Sequence, residues 1–159
     1  YNELIHIPLI LRGPGLQPRQ VAEVVRHVDL APTLTAVAGS AFHADAHGLS
    51  LLDLVGAPGA PRVAFSEGLF LTSEKKSVRA GPRKLIYDRF GGGSELYDLE
   101  ADPGEQADLS EQAPEQVFTL KRQLEIWMAA NDQKYAVLPQ TASAGGDSAL
   151  IEALRAGGY

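Results

Sequence analysis

Residues 83–99 read RKLIYDRFGGGSELYDL, and this stretch decides the fold. Two short runs rich in Leu, Ile and Tyr, residues 83–88 and 95–99, stand on either side of the turn residues 90–94. Such runs around a Gly-rich turn predict an antiparallel β-hairpin. A two-residue turn would fix the register, but this turn is longer, so the pattern leaves the register of the hairpin open.

More extended chain precedes the hairpin. Residues 63–67 and 77–80 are candidate strands because they are short, contain Val and Phe, and are bounded by loop residues. Gly81-Pro82 then provides turn chemistry between the second candidate strand and the hairpin. Together these segments predict a small antiparallel sheet.

A helix follows the sheet. Pro114 suits the first helical position and Asn131 suits the end, so the pattern predicts a helix over residues 114–131. Apolar side chains recur along it every three or four residues, which is the spacing of one helix face. They are Val117, Leu120, Leu124, Trp127 and Met128. This stripe predicts a helix packed against the rest of the fold.

The first third of the chain predicts one strand and one helix. Residues 4–11 form an apolar run that fits a strand buried on both faces, and Pro8 places that strand at an edge or near its own start. Asp29 can cap a short helix that ends at Gly39. One face of this helix carries Leu30, Leu34 and Val37. A loop with one short apolar element, residues 49–55, follows.

The composition excludes several classes of protein. The 159 residues are 45% hydrophobic and 21% charged, which is ordinary for a globular chain and excludes a wholly disordered chain, a coiled coil or a collagen-like repeat. A net charge of −6 argues against nucleic acid as a partner. The absence of cysteine excludes disulfides, Cys-ligated zinc, iron–sulfur clusters and a cysteine nucleophile. No apolar stretch approaches the roughly 20 residues of a transmembrane helix.

The start of the sequence is unusual. It begins with Tyr1 rather than Met, and a strand of interior type comes within its first residues. A strand buried on both faces needs neighbouring elements, and little chain precedes this one. We therefore expect the sequence to be part of a longer chain.

The histidines are candidates for metal binding or catalysis. His43 and His47 are four residues apart with Asp45 between them, a spacing that on a helix would put both imidazoles on one face. Gly48 and the surrounding small residues favour a solvated loop, and a third ligand at a recognisable spacing is missing. His6 lies in the apolar run, where a hydrogen-bonded core histidine is favoured over a catalytic one.

An acidic stretch is a second candidate for a metal site. Residues 95–115 contain eight acidic residues and neither Lys nor Arg. Five of them could suggest a calcium loop: Asp98, Glu100, Asp102, Glu105 and Asp108. Pro103-Gly104 breaks the order of ligands that an EF-hand needs. A solvated acidic turn that favours the N-terminus of the following helix is the better interpretation.

Other catalytic patterns are missing. The sequence has no Gly-x-Ser-x-Gly elbow and no order of Ser, His and Asp that argues for a triad. Glycines 91–93 lack the following Lys-Ser/Thr of a phosphate loop, so they predict a hairpin turn instead. The residues by themselves predict an acidic α+β domain without a self-sufficient active site.

Several stretches follow one another in a definite order along the chain. They are YNELIHIPLILRGPG (1–15), HVDLAPTLTAVAG (27–39), GLSLL (48–52), KLIY (84–87), ELYDL (95–99) with Asp102-Pro103 and Glu105, and LIEALRAGGY (150–159). In this order they resemble the C-terminal part of a bacterial sulfatase of the alkaline phosphatase superfamily. The last stretch is similar to the family's Leu-Arg-x-Leu-Gly-Tyr tail, with Gly157 where Leu is usual. The resemblance covers nearly the whole chain.

The resemblance implies an α/β fold of the alkaline phosphatase type in the full protein. This chain would then be an α+β piece of it, with the last strand of the main sheet, a small antiparallel sheet and a packed C-terminal helix. Residues 1–62 would end the main α/β domain. Residues 63–135 would form the antiparallel sheet and helix, and residues 136–159 a flexible segment and tail.

The resemblance also implies hydrolysis of sulfuric esters. In the family, a formylglycine made from Cys or Ser of a Cys/Ser-x-Pro-x-Arg motif attacks sulfur, a calcium ion polarises the sulfate, and Lys and His assist. A dianionic transition state requires such cations and donors. This chain has no Cys and no Ser-x-Pro-x-Arg, so it carries no catalytic and no metal residue from the family. Calcium and formylglycine are expected in the full-length parent, and the chain alone is expected to be inactive.

The substrate-binding residues are unknown. In the full family fold the small sheet lines one side of the substrate cleft, so loops 40–47 and 68–76 could help to select the substrate. Lys75 and Lys76 lie in the second loop and could meet an anionic substrate, although a solvated exposed pair is the favoured interpretation.

The implied partner of the parent protein is a sulfate-ester small molecule or glycan, and the strand at residues 4–11 could support self-association. The compartment stays open, since family members are often periplasmic or secreted. Two alternatives remain: part of a related phosphoester or phosphonate hydrolase of the same superfamily, and a stand-alone, non-catalytic interaction domain.

Overall fold

The computed structural model describes residues 1–40, 48–56, 62–70 and 73–137. The chain divides into two compact units, Tyr1–Leu124 and Glu125–Tyr159. The first unit contains the sheet and the short helices, as well as the first half of the long helix. The described part of the second unit continues that helix.

Four strands form one antiparallel sheet in the order β1-β2-β3-β4. Their bounds are Val63–Phe70 for β1, Ser73–Ala80 for β2, Arg83–Asp88 for β3 and Ser94–Asp98 for β4. Each strand pairs with the next along the chain, which is the simplest arrangement that short connections permit. The predicted sheet and hairpin are confirmed, and the pairing of Leu85 with Leu96 fixes the register of β3 on β4 that the sequence left open.

One face of the sheet is apolar. Cross-strand partners lie on the same face, and the pairings Val78–Leu85 and Leu85–Leu96 therefore put three fully buried side chains side by side. At roughly 25 cal/mol per Å² of apolar area, such a row is a main source of stability for this unit.

The long helix, α4, spans Pro114–Val137, and its first part, up to Leu124, lies over this apolar face. Lys121 Nζ lies 4.4 Å from the centroid of the Tyr87 ring, a residue on the same face as Val78, which places the helix over that side of the sheet. Leu120 and Leu124 are buried, as the apolar stripe predicts. The helix begins at the predicted Pro114 and extends six residues beyond the predicted end at Asn131 (137 − 131 = 6), so Asn131 does not terminate it.

Three short helices precede the sheet. They are α1 at Asn2–Ile5, α2 at Leu30–Val37 and α3 at Leu51–Gly56, with a 3₁₀ turn at His27–Asp29 before α2. Gly39 follows the end of α2 with a φ of +67°, the left-handed conformation that glycine adopts without strain. The predicted helix between Asp29 and Gly39 is confirmed, and the apolar element near residues 49–55 is α3.

Asp29 differs from its predicted role as a simple helix cap. Its side chain makes no capping bond to α2 and is fully buried. It accepts hydrogen bonds from the Arg26 amide (2.9 Å), the Leu49 amide (3.0 Å) and the Arg62 guanidinium (2.8 Å). The carboxylate therefore ties the start of α2 to the chain before α3 and to the start of β1, and it has no capacity left for the amides of α2.

Three expectations about segments were wrong. Residues 4–11 do not form a strand: residues 2–5 are helical and the remainder forms no regular element. A strand exists only by pairing, and none of the described strands pairs with this segment. On α2 the predicted apolar face is turned outward, with Leu34 and Val37 both 68% exposed. The presumed loop 68–76 is mostly strand, since β1 extends through residue 70 and β2 begins at residue 73.

Candidate functional site

The opposite face of the sheet carries polar side chains next to the apolar row. Ser77, Lys84 and Glu95 directly precede Val78, Leu85 and Leu96 in the sequence and point to the other face. Register places Lys84 beside Tyr97 and places Ser77 beside Ile86 on this face. We call it the polar face. A cavity of about 260 Å³ lies against it, closed on one side by Tyr1 and α1. The polar face and this cavity form the candidate site.

Glu95 is the centre of a first cluster on the polar face. Its Oε2 accepts hydrogen bonds from the hydroxyls of Tyr1 (2.7 Å) and Tyr97 (2.9 Å), and Lys75 Nζ lies 3.2 Å from its Oε1. The Tyr1 and Tyr97 rings meet edge to face at 6.3 Å, and Lys75 Nζ lies 5.3 Å from the centroid of the Tyr1 ring. Both oxygen atoms of the Glu95 carboxylate therefore have a hydrogen-bond or ion-pair partner.

Charge and burial shift the titration of this cluster. Burial works against the charged form of Glu95, but the bonds from Tyr1, Tyr97 and Lys75 outweigh it and lower its pKa. Burial and the nearby Glu95 carboxylate raise the pKa of the Tyr97 hydroxyl. The cluster is thus a carboxylate, an ammonium group and two neutral phenols near neutral pH, which favours binding over proton transfer.

A second cluster is more deeply buried. Lys84 Nζ lies 2.6 Å from Glu105 Oε1, and both side chains are only 1% exposed. The main-chain amide of Asn2 donates to Glu105 Oε2 (2.6 Å), and Lys84 Nζ donates to Asn2 Oδ1 (3.2 Å). A buried ion pair requires such additional hydrogen bonds to offset the loss of hydration.

Sequence patterns assigned Lys84 no role and suggested Glu105 only as a candidate residue of a calcium loop. A partial signal for them existed: Lys84 lies directly before the apolar residues Leu85 and Ile86 of its strand, and Glu105 follows the turn residues Pro103-Gly104. A lysine in a buried strand needs an acidic partner. Because Lys84 and Glu105 are far apart in the sequence, local patterns do not show which of the eight acidic residues in the stretch 95–115 is the partner of Lys84.

Lys75 and Lys76 lie in β2 and differ in exposure. Lys75 is 37% exposed and borders the cavity. Lys76 is buried, with Glu74 at 3.0 Å and Glu67 at 3.3 Å, so the prediction of a solvated pair was wrong for Lys76. Adjacent strand residues point to opposite faces, and the two lysines therefore meet different carboxylates.

The predicted metal and phosphate candidates are not brought together. His43 and His47 lie outside the described residues, as does loop 40–47 except for Ser40. His6 is exposed at the end of α1, so its predicted place in a core was wrong. The glycines at 91–93 form the turn between β3 and β4, as predicted. There Asp88 Oδ1 accepts the amides of residues 90 and 91, which occupies the donors that a phosphate would need.

The acidic stretch is used by the fold itself. Asp98 accepts the amides of residues 100 and 101 and pairs with Arg83. Asp102 accepts the amides of residues 106 and 107, and Asp108 accepts those of Leu96 and residue 110. These bonds from Leu96 and Ser110 outweigh burial and lower the pKa of Asp108. The carboxylates therefore close separate turns and do not converge on one point.

The calcium and formylglycine of the sulfatase family do not fit the residues present. Within residues 1–40, 48–56, 62–70 and 73–137, no three His, Asp or Glu side chains are grouped as a metal site needs. The sequence contains no Cys and no Ser-x-Pro-x-Arg from which formylglycine could form. In the same part of the chain, no helix is long and apolar enough to cross a membrane.

Comparison with known proteins gives consistent results. The family described as N-sulphoglucosamine sulphohydrolase, C-terminal, matches residues 1–133. Mouse arylsulfatase K is 30% identical over 138 residues, which are 78% of this chain and 25% of the relative. A Delta 4,5-hexuronate-2-O-sulfatase from Bacteroides thetaiotaomicron is 35% identical over 124 residues, which are 69% of this chain and 25% of the relative.

Solved structures show the same similarity. One described as a 2-O GAG sulfatase superposes with a TM-score of 0.58 at 28% identity, over 69% of this chain and 26% of that chain. The chain thus spans about a quarter of the length of the proteins that it matches. Because the family match covers residues 1–133 of 159, the chain belongs to the family of sulfatase C-terminal regions described as N-sulphoglucosamine sulphohydrolase, C-terminal.

Proposed function

We propose that this chain is the C-terminal region of a sulfuric ester hydrolase and that the parent protein is the active enzyme. The family match over residues 1–133, with sulfatases as relatives, carries the proposal. The formylglycine and calcium of that chemistry belong to chain outside these 159 residues. No residue of this chain is assigned a catalytic or metal-binding role.

The substrate of the parent is a sulfated glycan. Two of the similar proteins carry names that specify a sulfate at a 2-O position, on a hexuronate in one case and on a glycosaminoglycan in the other. The two lysines that the polar face presents at the cavity, Lys75 and Lys84, are each paired with a carboxylate, so this part of the chain would contribute shape and hydrogen bonds to sugar recognition more than net charge.

Residues 1–62 end the main α/β domain in this proposal, residues 63–135 form the antiparallel sheet and helix, and residues 136–159 form the tail. The outward apolar side chains of α2 and of residues 4–11 support this division, because in a longer protein a main domain would cover them.

The experiment is to read the DNA upstream of the codon for Tyr1 and to assay the complete gene product. We expect a Cys/Ser-x-Pro-x-Arg motif upstream and release of sulfate from a 2-O-sulfated hexuronate disaccharide. The 159-residue chain, assayed alone with added calcium, is the matched control and should release none.

Two results would favour the alternatives. A Thr or Ser nucleophile with two zinc sites upstream, and faster hydrolysis of para-nitrophenyl phosphate than of the sulfate, would assign the protein to the related phosphoester or phosphonate hydrolases. A native start codon directly before Tyr1 would favour an interaction domain.

A further inference from the structure

The cavity lies between two parts of the chain. One wall comes from Tyr1 and α1, and the other comes from side chains of β1, β2 and β3. Its width therefore depends on the contacts that hold the first residues against the polar face. The contacts of Asn2 are the ones that reach the most deeply buried charges of that face.

Asn2 takes part in a closed ring of three contacts. Its main-chain amide donates to Glu105 Oε2 (2.6 Å), and its side-chain Oδ1 accepts a hydrogen bond from Lys84 Nζ (3.2 Å). Lys84 Nζ and Glu105 Oε1, 2.6 Å apart, close the ring. The ion pair thus binds a main-chain donor and a side-chain acceptor of the same residue. An apolar side chain at position 2 would offer Lys84 no acceptor and would leave the ring open.

The ring involves no chain end. The donor of Asn2 is the N–H of the peptide bond that joins it to Tyr1, and the acceptor is on its side chain. Neither atom changes when further residues precede Tyr1. We therefore expect the same ring in a longer protein.

The turn that carries Glu105 holds its carboxylate in place for the ring. Glu105 has a φ of +52°, a left-handed conformation that costs a non-glycine residue free energy. Asp102 maintains this turn by accepting the amides of residues 106 and 107. A strained backbone persists only where its surroundings fix it, and it often serves to pre-organise a contact.

A purely structural role would not require charges here. Lys84 and Glu105 are each 1% exposed, and the burial of two charges costs hydration that their mutual attraction restores only with good geometry and further hydrogen bonds. Well-packed apolar side chains of similar volume are often neutral or stabilising at such positions. The charged pair supplies what an apolar pair cannot, which is a directed acceptor and a directed donor for Asn2.

We propose that Lys84 and Glu105 are positioning residues, which fix Asn2 on the polar face and so set the width of the cavity that receives the sugar of the substrate in the parent enzyme. This inference rests on the proposed function, because it takes the cavity as part of the substrate site. The pair acts through Asn2 and not on the reacting atoms. It holds residues 1–62, the end of the main domain, against the sheet of residues 63–135.

The activity test uses the complete gene product. In the double variant Lys84→Met/Glu105→Leu, apolar side chains replace the ion pair, so the sheet should stay folded while both contacts to Asn2 are lost. The value of kcat/KM should fall about tenfold more for a 2-O-sulfated hexuronate disaccharide than for para-nitrophenyl sulfate, because the small ester has no sugar to bind. Asn2→Ala, which leaves the ion pair intact, should change the same ratio in the same direction.

Arg83→Met is the matched control. Arg83 directly precedes Lys84 in β3, so it points to the opposite face, and it pairs with Asp98 at 3.3 Å. Its loss removes an ion pair from the same sheet without touching Asn2. The ratio of the two kcat/KM values should therefore stay as in the original protein.

Amide hydrogen exchange on the 159-residue chain tests the positioning without any activity. In Lys84→Met/Glu105→Leu the Asn2 amide should exchange about tenfold faster, because it loses its hydrogen bond to a carboxylate, and the ladder amides of β2 should keep their rates. In Asn2→Ala the amide of residue 2 should also exchange faster, since the side-chain contact that holds it near Glu105 is gone.

The outcomes separate the two conclusions. A gene product that releases sulfate from neither ester would overturn the proposed function. Release from both esters, with an equal fall of kcat/KM in the double variant, would overturn the positioning role and leave the proposed function standing. Unchanged exchange of the residue-2 amide in both variants would also overturn the positioning role, whatever the gene product hydrolyses.

Discussion

At the scale of single residues, a few buried polar side chains determine how the segments meet. The Asp29 carboxylate accepts hydrogen bonds from Arg26, Leu49 and Arg62. Glu105 forms an ion pair with Lys84 and accepts a hydrogen bond from the main-chain amide of Asn2. Such groups are costly to bury and become strongly destabilising when one partner is removed. Their replacement is therefore the sharpest test of the structure at this scale.

Asp29→Asn should lower the free energy of unfolding by about 3–5 kcal/mol, because it leaves the buried Arg62 without its anionic partner. Burial works against the charge of Asp29, but the bonds from Arg26 and the Leu49 amide outweigh it and lower its pKa in the folded state. A lowered pKa stabilises the fold above the ordinary aspartate pKa of about 4, and this contribution is lost as the pH falls through the folded-state pKa.

Urea titrations at several pH values measure this effect. The loss of stability below about pH 4 should be smaller in Asp29→Asn than in the original chain, although Glu95 and Asp108 retain their own acid-sensitive contributions. Asp53→Asn, at an exposed position on α3, is the control and should leave the profile unchanged. Equal profiles for the original chain and Asp29→Asn would contradict the assigned role.

Gly48 is the residue at which a close approach requires glycine. A Cβ atom there would lie 1.8 Å from the Val28 carbonyl oxygen and 2.9 Å from Pro32 Cγ. Gly48→Ala should therefore separate the chain before α3 from α2, at a cost of about 1–3 kcal/mol or more. Gly93→Ala, where a Cβ atom would meet nothing, is the matched control in the same urea titration. Equal midpoints for the two variants would refute this assignment.

At the scale of elements, the sheet has two faces with different tasks. The apolar face packs under the part of α4 that precedes Glu125, and the polar face contacts residues 1–5 through charged and hydroxyl groups. An antiparallel sheet needs one well-packed face for stability. The second face is then available for specific polar contacts.

Leu124→Ala tests the packing of α4. Leu124 is fully buried, so its truncation should cost about 2–5 kcal/mol through lost apolar burial and the cavity left behind. Phe118→Ala removes a larger side chain from the same helix, but Phe118 is 68% exposed and the cost should be much smaller. Thermal unfolding followed by circular dichroism measures both variants, and a comparable loss in the two would argue against the observed helix orientation.

At the scale of the whole molecule, the chain exposes more apolar surface than a self-contained domain does. The large side chains of residues 4–11 are all at least 40% exposed: Leu4, Ile5, Ile7, Leu9, Ile10 and Leu11. Surface of this kind marks an interaction site or a tendency to aggregate. It agrees with a chain that spans about a quarter of its relatives.

We propose that the isolated chain self-associates through this segment. Sedimentation velocity should show a sedimentation coefficient that rises with concentration, and a hydrophobic dye should bind. The Ile7→Lys/Ile10→Lys variant should reduce both, because it places charges on the exposed apolar segment. Phe90→Lys, a change at an exposed aromatic residue far from this segment in sequence, is the control. A monomer at all concentrations would contradict the proposal.

Much of the architecture could be predicted because it depends on neighbouring residues. The Gly-rich turn and the runs rich in Leu, Ile and Tyr on either side of it predict the hairpin of β3 and β4. Pro114 and the three-and-four spacing after it predict α4, and Gly39 predicts the end of α2. The order of motifs predicts the family. The turn and helix-end patterns depend on residues that are close together in the sequence, so they favour the same local structure whatever the rest of the chain does.

The sequence by itself thus determined the turns, the helix start, the paired strands and the family. Only the tertiary structure decided which of eight nearby acidic residues pairs with Lys84, and that Tyr1, 94 positions away, binds Glu95. It also decided that residues 4–11 form no strand. The physical reason is that ion pairs and strands need partners brought together by folding, and the identity of those partners is not written in the local sequence.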